Sequence, residues 1–276
     1  AKDYGRKLVR CSTDYMIEHL DYLHEKYGYN NFKFIDDLFN VPKKWVFEFC
    51  EKLAASDRQY YFWASGNRAD LICEDLVQAM MSAGFYQISV GIESFNQEIL
   101  DEMNKALKVE KLMRGLKILI KHRMLSRSEC ILQFGYSKDS RETMRNNLKH
   151  IKELDYFDRV GFFFPCPLPN TMLYEIAVKE GKITNLEDHL IHLSHTNLSD
   201  LIVNFSQFSD EELLKMVQSA REEVRMYRLL RERRYTQYTY KKLKYGVRDI
   251  FPRDSQMYNT LKWVNKKTIG RIETPV

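Results

Sequence analysis

The chain is 276 residues long, 44% hydrophobic and 29% charged, which excludes disordered, collagen-like and disulfide-scaffold proteins and leaves one large domain or a domain with an appendage. No apolar run approaches the roughly 20 residues that cross a bilayer, and Ala1 to Arg10 carries charge with no apolar segment behind it, so neither a membrane span nor a signal peptide is expected. The net charge of +5 is unevenly shared: residues 221–276 hold 15 Lys and Arg against 6 Asp and Glu, leaving 28 against 32 in residues 1–220.

Hydrophobic period and punctuation predict alternating helices and strands. Ser12 or Thr13 caps a helix with Met16, Ile17, Leu20 and Leu23 on one face, and Gly28 ends it. A strand over 31–35 runs into Asp36-Asp37. Pro42 suits the first turn of a helix carrying Val46, Phe49, Cys50 and Leu53. A strand over 60–64, a helix over 71–83 and a strand over 86–91 follow, the last reaching Glu93-Ser94. Asn96 then caps a short helix, and 110–122 forms a longer one. Next come a strand over 129–135, a helix over 140–154, a strand over 159–164 and a helix from about Thr171. Strands alternating with helices make a parallel sheet the economical solution, with polar loops and ligands at the strand C-terminal ends.

Beyond Lys182 the pattern becomes mainly helical, which divides the chain into an α/β domain over 1–182 and a basic, aromatic-rich extension over 183–276. His189, His192 and His195 are spaced by three, so they fan around a helix and read as packing residues rather than a metal site. Ser209-x-x-Glu212 is a capping box opening a long helix. The basic tail suits nucleic acid, an anionic surface or an acidic partner, and equally a solvated helix face. Its aromatics, Tyr227, Tyr235, Phe251 and Trp263 among them, suit packing or the lining of a pocket.

The polar groups at the strand ends are Asp36 and Asp37, Ser65, Asn67 and Arg68, Glu93 and Ser94, Gln133, and Asn170 and Thr171. Carboxylates on neighbouring strands can hold a divalent metal or accept hydrogen bonds from an amine and ribose hydroxyls. The plainer alternatives are a polar turn at Asp36-Asp37, a helix cap at Glu93, and an Arg68 that only neutralises Asp70. Five scattered cysteines (Cys11, Cys50, Cys73, Cys130 and Cys166) fit reduced thiols and a cytoplasmic protein.

The strand end Phe34-Ile35-Asp36-Asp37-Leu38-Phe39, the turn Val90-Gly91-Ile92-Glu93-Ser94 followed by Met103-Asn104-Lys105, and the run Pro165-Cys166-Pro167-Leu168-Pro169-Asn170-Thr171 together resemble radical S-adenosylmethionine enzymes. The likeness covers about residues 4–180 and is closest to the subgroup that often carries a cobalamin-binding domain upstream. It implies a partial (β/α) barrel, S-adenosylmethionine, a 4Fe-4S cluster, cobalamin in some members, and a reductant protein. In that family the cofactor is reductively cleaved to a 5′-deoxyadenosyl radical, and cobalamin members transfer methyl groups to unactivated carbon. By position, Asp36 and Asp37 match the acidic motif that meets the cofactor's amine, and Glu93 and Ser94 the motif near the ribose and carboxylate. The strand ending at Gln133 and Gly135 matches the adenine wall, and Arg68 is a further rim contact.

The cluster of that family needs thiolates spaced C-x-x-x-C-x-x-C, whereas the cysteines here are 39, 23, 57 and 36 residues apart. The resemblance therefore implies a barrel without its first strand and cluster loop, and two accounts follow: the ligands lie upstream of this sequence, or the protein has lost the cluster and is a binding scaffold on the same fold. In both, the chain alone does not cleave the cofactor. Two other readings stay open: a divalent-metal hydrolase or lyase using Asp36, Asp37 and Glu93, and a non-catalytic nucleic-acid or partner-binding module using the tail. The pattern leaves the catalytic residues and the substrate unspecified.

Overall fold

The computed structural model describes residues 8–125, 130–155, 160–197 and 199–250, with side chains other than those of Cys130 and residues 233–250. Two compact units are distinguished, Ala1–Val224 and Arg225–Val276. In the first, five strands form one sheet in the order of the chain: β1 (Asn31–Phe34), β2 (Tyr61–Asn67), β3 (Phe85–Glu93), β4 (Cys130–Gln133) and β5 (Val160–Phe163). Every neighbouring pair is parallel. Consecutive order means that each crossover advances the same way, as in a barrel, and all five C-terminal ends share one rim.

The crossovers are helical. α1 (Thr13–Tyr27) precedes β1, α2 (Lys43–Ala54) joins β1 to β2, and α3 (Glu74–Ser82) joins β2 to β3. α4 (Gln97–Glu102) and α5 (Val109–Lys121) lie between β3 and β4, and α6 (Arg141–Leu154) between β4 and β5. α7 (Met172–Lys179), α8 (Leu186–Ser194) and α9 (Asp210–Ile250) follow. The helix-facing side of the sheet is apolar with period two: Phe62 and Ala64, then Ile88, Val90 and Ile92, then Leu132 and Phe162, all buried with Phe49, Leu76, Leu116 and Leu148 of the helices. The other side carries Trp63, Ser89, Glu93 and Gln133, so alternation alone separates core from site.

Several termini behave as the sequence dictates. Ser12 accepts from the Tyr15 amide, and Gly28 closes α1 at φ 72°. Ser140 and Thr143 cap α6 reciprocally, and Thr171 caps α7. The Ser209 hydroxyl and the Glu212 amide, with the Glu212 carboxylate returning to the Ser209 amide, form the expected capping box.

Other expectations change. Pro42 stands at the N-cap of α2, one residue before the helix. The predicted helix over 71–83 begins only at Glu74, because a 3₁₀ turn over Ala69–Leu71 and an extended Cys73 precede it. Asn96 occupies the N-cap of α4 without capping it, its amide being used elsewhere.

Residues after Lys182 do not form a separate body at once. Ile183, Val203 and Phe205 pack with Ala177 in a small second core, and Leu213, Val217, Ala220 and Val224 of α9 join the main one. The compact units divide after Val224, and the division at 182 stays an expectation. His189 is buried with its Nε2 2.8 Å from the Pro167 carbonyl, while His192 and His195 face solvent, so one of the three packs and two lie on the surface. The expectations for Tyr235, Phe251 and Trp263 lie outside the described side chains. No helix among the described residues is long and apolar enough to cross a membrane.

Candidate functional site

At the β1–β2 end of the rim, Asp36 is half-buried and Asp37 exposed, on a loop held through its backbone. Gly66, at φ 68°, lets β2 pass under that loop, where a Cβ would stand 1.6 Å from the Asp36 carbonyl oxygen. The Phe39 amide donates to the Gly66 carbonyl at 2.8 Å, and the Ser65 hydroxyl to the Phe34 carbonyl at 2.9 Å. From outside, the Arg10 guanidinium donates to the carbonyls of Leu38, Phe39 and Val41 and lies 4.9 Å from the Trp45 ring centre. Its burial lowers its pKa, only partly offset by the charge of Asp36.

Both central strands bulge at this rim. The β2–β3 register shifts between Ala64 and Asn67, around Gly66, and the β3–β4 register between Gly91 and Glu93. Glu93 itself is left-handed at φ 63°, a conformation that costs a non-glycine residue of order 1 kcal/mol or more and that often marks a functional position. The bulge re-aims its side chain. Glu93 is 7% exposed as a residue, and its carboxylate receives two donors, Lys105 Nζ on Oε1 and Gln133 Nε2 on Oε2, each at 2.6 Å. Gln133 in turn accepts from the Tyr136 hydroxyl at 2.9 Å. Burial, then the nearby Glu93 charge, raise the Tyr136 pKa, which keeps that hydroxyl a donor.

Ser94 is fully buried. Its hydroxyl faces Asn147 Oδ1 at 3.3 Å and accepts from the Asn96 amide groups. Asn147, on α6, also receives the Phe95 amide at 2.7 Å, so this polar knot fixes the turn after β3 from below. Arg68 forks onto Asp70 with two 3.0 Å bonds, which raise its pKa, and reaches the carbonyls of Lys105 and Ala106. The structure therefore brings Glu93 and Gln133 together, places Asp36 and Asp37 on the same rim, and engages Ser94 and Arg68 with protein partners.

Beyond β4, four successive amides meet two carboxylates: Gly135 and Tyr136 donate to Asp139, and Ser137 and Lys138 to Glu102. Burial, with the charge of Glu102 adding to it, pushes Asp139 up to about 6. Lys105, Tyr136, Glu102 and Asp139 had no assigned role in the sequence. Only Lys105 stood within a quoted motif, and its partner twelve residues back becomes visible once the loop folds.

The described cysteines do not assemble. Cys11 is exposed, Cys73 and Cys166 are half-buried, and Cys50 is buried in the core with its thiol pushed up to about 12. Among the described residues no group of three or more His, Cys, Asp or Glu could hold a metal ion, so Asp36, Asp37 and Glu93 do not form a metal-ligating set and the four described thiols do not fit an iron–sulfur cluster.

No family model matches the chain. An uncharacterized methyltransferase of Pyrococcus horikoshii is 24% identical over 217 residues, 79% of this chain and 45% of that protein. The anaerobic magnesium-protoporphyrin IX monomethyl ester cyclase of Synechocystis is 24% identical over 169 residues, 60% of this chain and 33% of that protein. The chain thus spans less than half the length of these curated relatives. Among solved structures, the radical S-adenosylmethionine methyltransferase TsrM from Kitasatospora setae, with cobalamin and a 4Fe-4S cluster bound, superposes with a TM-score of 0.54 at 18% identity, over 62% of this chain and 34% of that one. The chain resembles radical S-adenosylmethionine enzymes and has their fold, a sheet of parallel strands in consecutive order with helical crossovers and a helical C-terminal part.

Proposed function

We propose that this chain is the core of a radical S-adenosylmethionine enzyme, that its rim binds S-adenosylmethionine, and that the reaction class is cobalamin-dependent methyl transfer. The observation that carries the reading is Glu93: a left-handed residue at a bulge, its carboxylate buried yet held open to the rim between Lys105 and Gln133. The fold shared with TsrM and the match to a methyltransferase support it.

The donor set fits the sulfonium cofactor. Glu93 accepts from ribose hydroxyls with its remaining lone pairs, Asp36 and Asp37 meet the ammonium, and the Gln133 strand backs the purine. When bound, the cofactor supplies a sulfonium whose carbon–sulfur bonds are the reactive ones. The chain's own residues orient it: Lys105 and Gln133 fix the carboxylate, and the Asn147 knot fixes the turn beneath. Cluster chemistry is not routed through the described cysteines, which do not gather. On this reading the cluster's ligands come from outside the described residues, and cleavage requires the cluster and a reductant.

Calorimetry with S-adenosylmethionine, and separately with magnesium and manganese, tests the reading. Saturable heat with the sulfonium alone is expected. Heat with the divalent ions and none with the sulfonium would replace it by the metal-hydrolase reading.

A further inference from the structure

Beside the Glu93 relay lies a cavity of about 230 Å³, walled by Met103, Tyr136, Met172, Leu173 and Phe205, with Glu102 and Glu180 on its lining. Its volume is below the about 300 Å³ at which pockets for drug-sized ligands begin, so it holds a ring or branched chain and not a whole nucleoside cofactor. Two thioethers and two rings make a polarizable wall, suited to an aromatic or compact aliphatic group.

The polar part is selective too. Glu180 has Lys182 Nζ at 2.7 Å, so its charge is already met. Glu102 is fixed by the Ser137 and Lys138 amides at 2.8 and 3.1 Å, and a carboxylate so held keeps lone pairs for a further donor. Anions are disfavoured there, whereas an N–H or O–H donor is welcome. Tyr136 is shared: it lines the cavity, and its hydroxyl reaches Glu93 through Gln133.

We propose that this cavity seats a compact aromatic or branched apolar group of the substrate, with an N–H or O–H donor on Glu102, next to the cofactor at Glu93. Its identity as a substrate seat rests on the proposed function, whereas its affinity for such a group does not. Indole and benzothiophene, fused rings of similar size with and without an N–H donor, are titrated into the full chain carrying isotope-labelled methionine methyl groups. The methyl signals of Met103 and Met172 should shift saturably, with indole on the order of tenfold tighter than benzothiophene. Met81, 44% exposed on α3, should stay silent.

Leu173→Trp, or Ile176→Trp on the same lining if the first does not fold, should fill the cavity and abolish the shifts, and Glu102→Gln should remove most of indole's advantage. Shifts that do not saturate, equal shifts at Met81, or unchanged indole binding in a folded filling variant would overturn the proposal. A parallel titration with S-adenosylmethionine separates the two claims: indole binding without sulfonium binding leaves the cavity standing and sinks the cofactor reading.

Discussion

At the β1–β2 end of the rim the backbone does the holding: Gly66 passes under the Asp36-Asp37 loop, and Arg10 grips three carbonyls from outside. At the β3–β4 end side chains hold one another, from Lys105 through Glu93 and Gln133 to Tyr136. The first arrangement fixes the Asp36-Asp37 loop through its backbone and cannot tolerate a Cβ at Gly66. The second fixes one carboxylate in place and is sensitive to its charge. Under the proposed reading, such a rim offers a backbone-held pair of acids to the cofactor's ammonium and a side-chain-held acid to its ribose.

The largest effect is expected at Gly66. Gly66→Ala drives a Cβ into the Asp36 carbonyl and should cost about 4 kcal/mol or more in denaturant unfolding, or prevent folding. Gly28→Ala, at a similar φ with nothing within 4 Å of the added carbon, should cost only about 1 kcal/mol. Equal costs would mean that conformation and not close approach decides at Gly66. Arg10→Ala removes charged donors from three loop carbonyls and should cost about 2 kcal/mol, with faster amide exchange over residues 38–41. Unchanged exchange would show that the loop holds itself.

The side-chain end is sharpened through pH. Asp139 titrates near 6 in the fold and near 4 unfolded, so its raised value adds stability that is complete below about pH 4 and lost as pH rises through about 6. Asp139→Asn has no such titration, so the variant should gain on the parent between pH 4 and 7 by on the order of 2 kcal/mol. A pH-independent difference would refute the raised pKa. The smallest effect is Lys26→Ala, where an exposed ammonium lies 5.1 Å from the Tyr22 ring centre: the variant's unfolding midpoint in the same assay should match the parent's within error.

Much of the scaffold was readable because it rests on local rules. Ser12 and Ser209 cap where the pattern says, and the strands lie within a few residues of their predicted places, since period two and glycine punctuation are local signals. The rim was half readable. Glu93 stands at a strand end in the sequence, but its partners Lys105 and Gln133 lie 12 and 40 residues away and become partners only when α4 turns back and β4 pairs with β3. Ser94 and Arg68 stand at strand ends as well, yet Asn147, 53 residues on, and Asp70 take up their polar atoms. Spacing shows which residues reach a rim, and non-local folding decides which of them stay open.

The central claim is that the fixed Glu93 carboxylate is the anchor for S-adenosylmethionine. It is tested most directly by the affinity of that cofactor for the parent chain and for Glu93→Gln, which keeps the shape and removes the charge. The account predicts saturable binding to the parent that weakens tenfold or more, on the order of one charge-assisted hydrogen bond, while the variant's fold persists by circular dichroism. Equal affinity in the two folded proteins would contradict it.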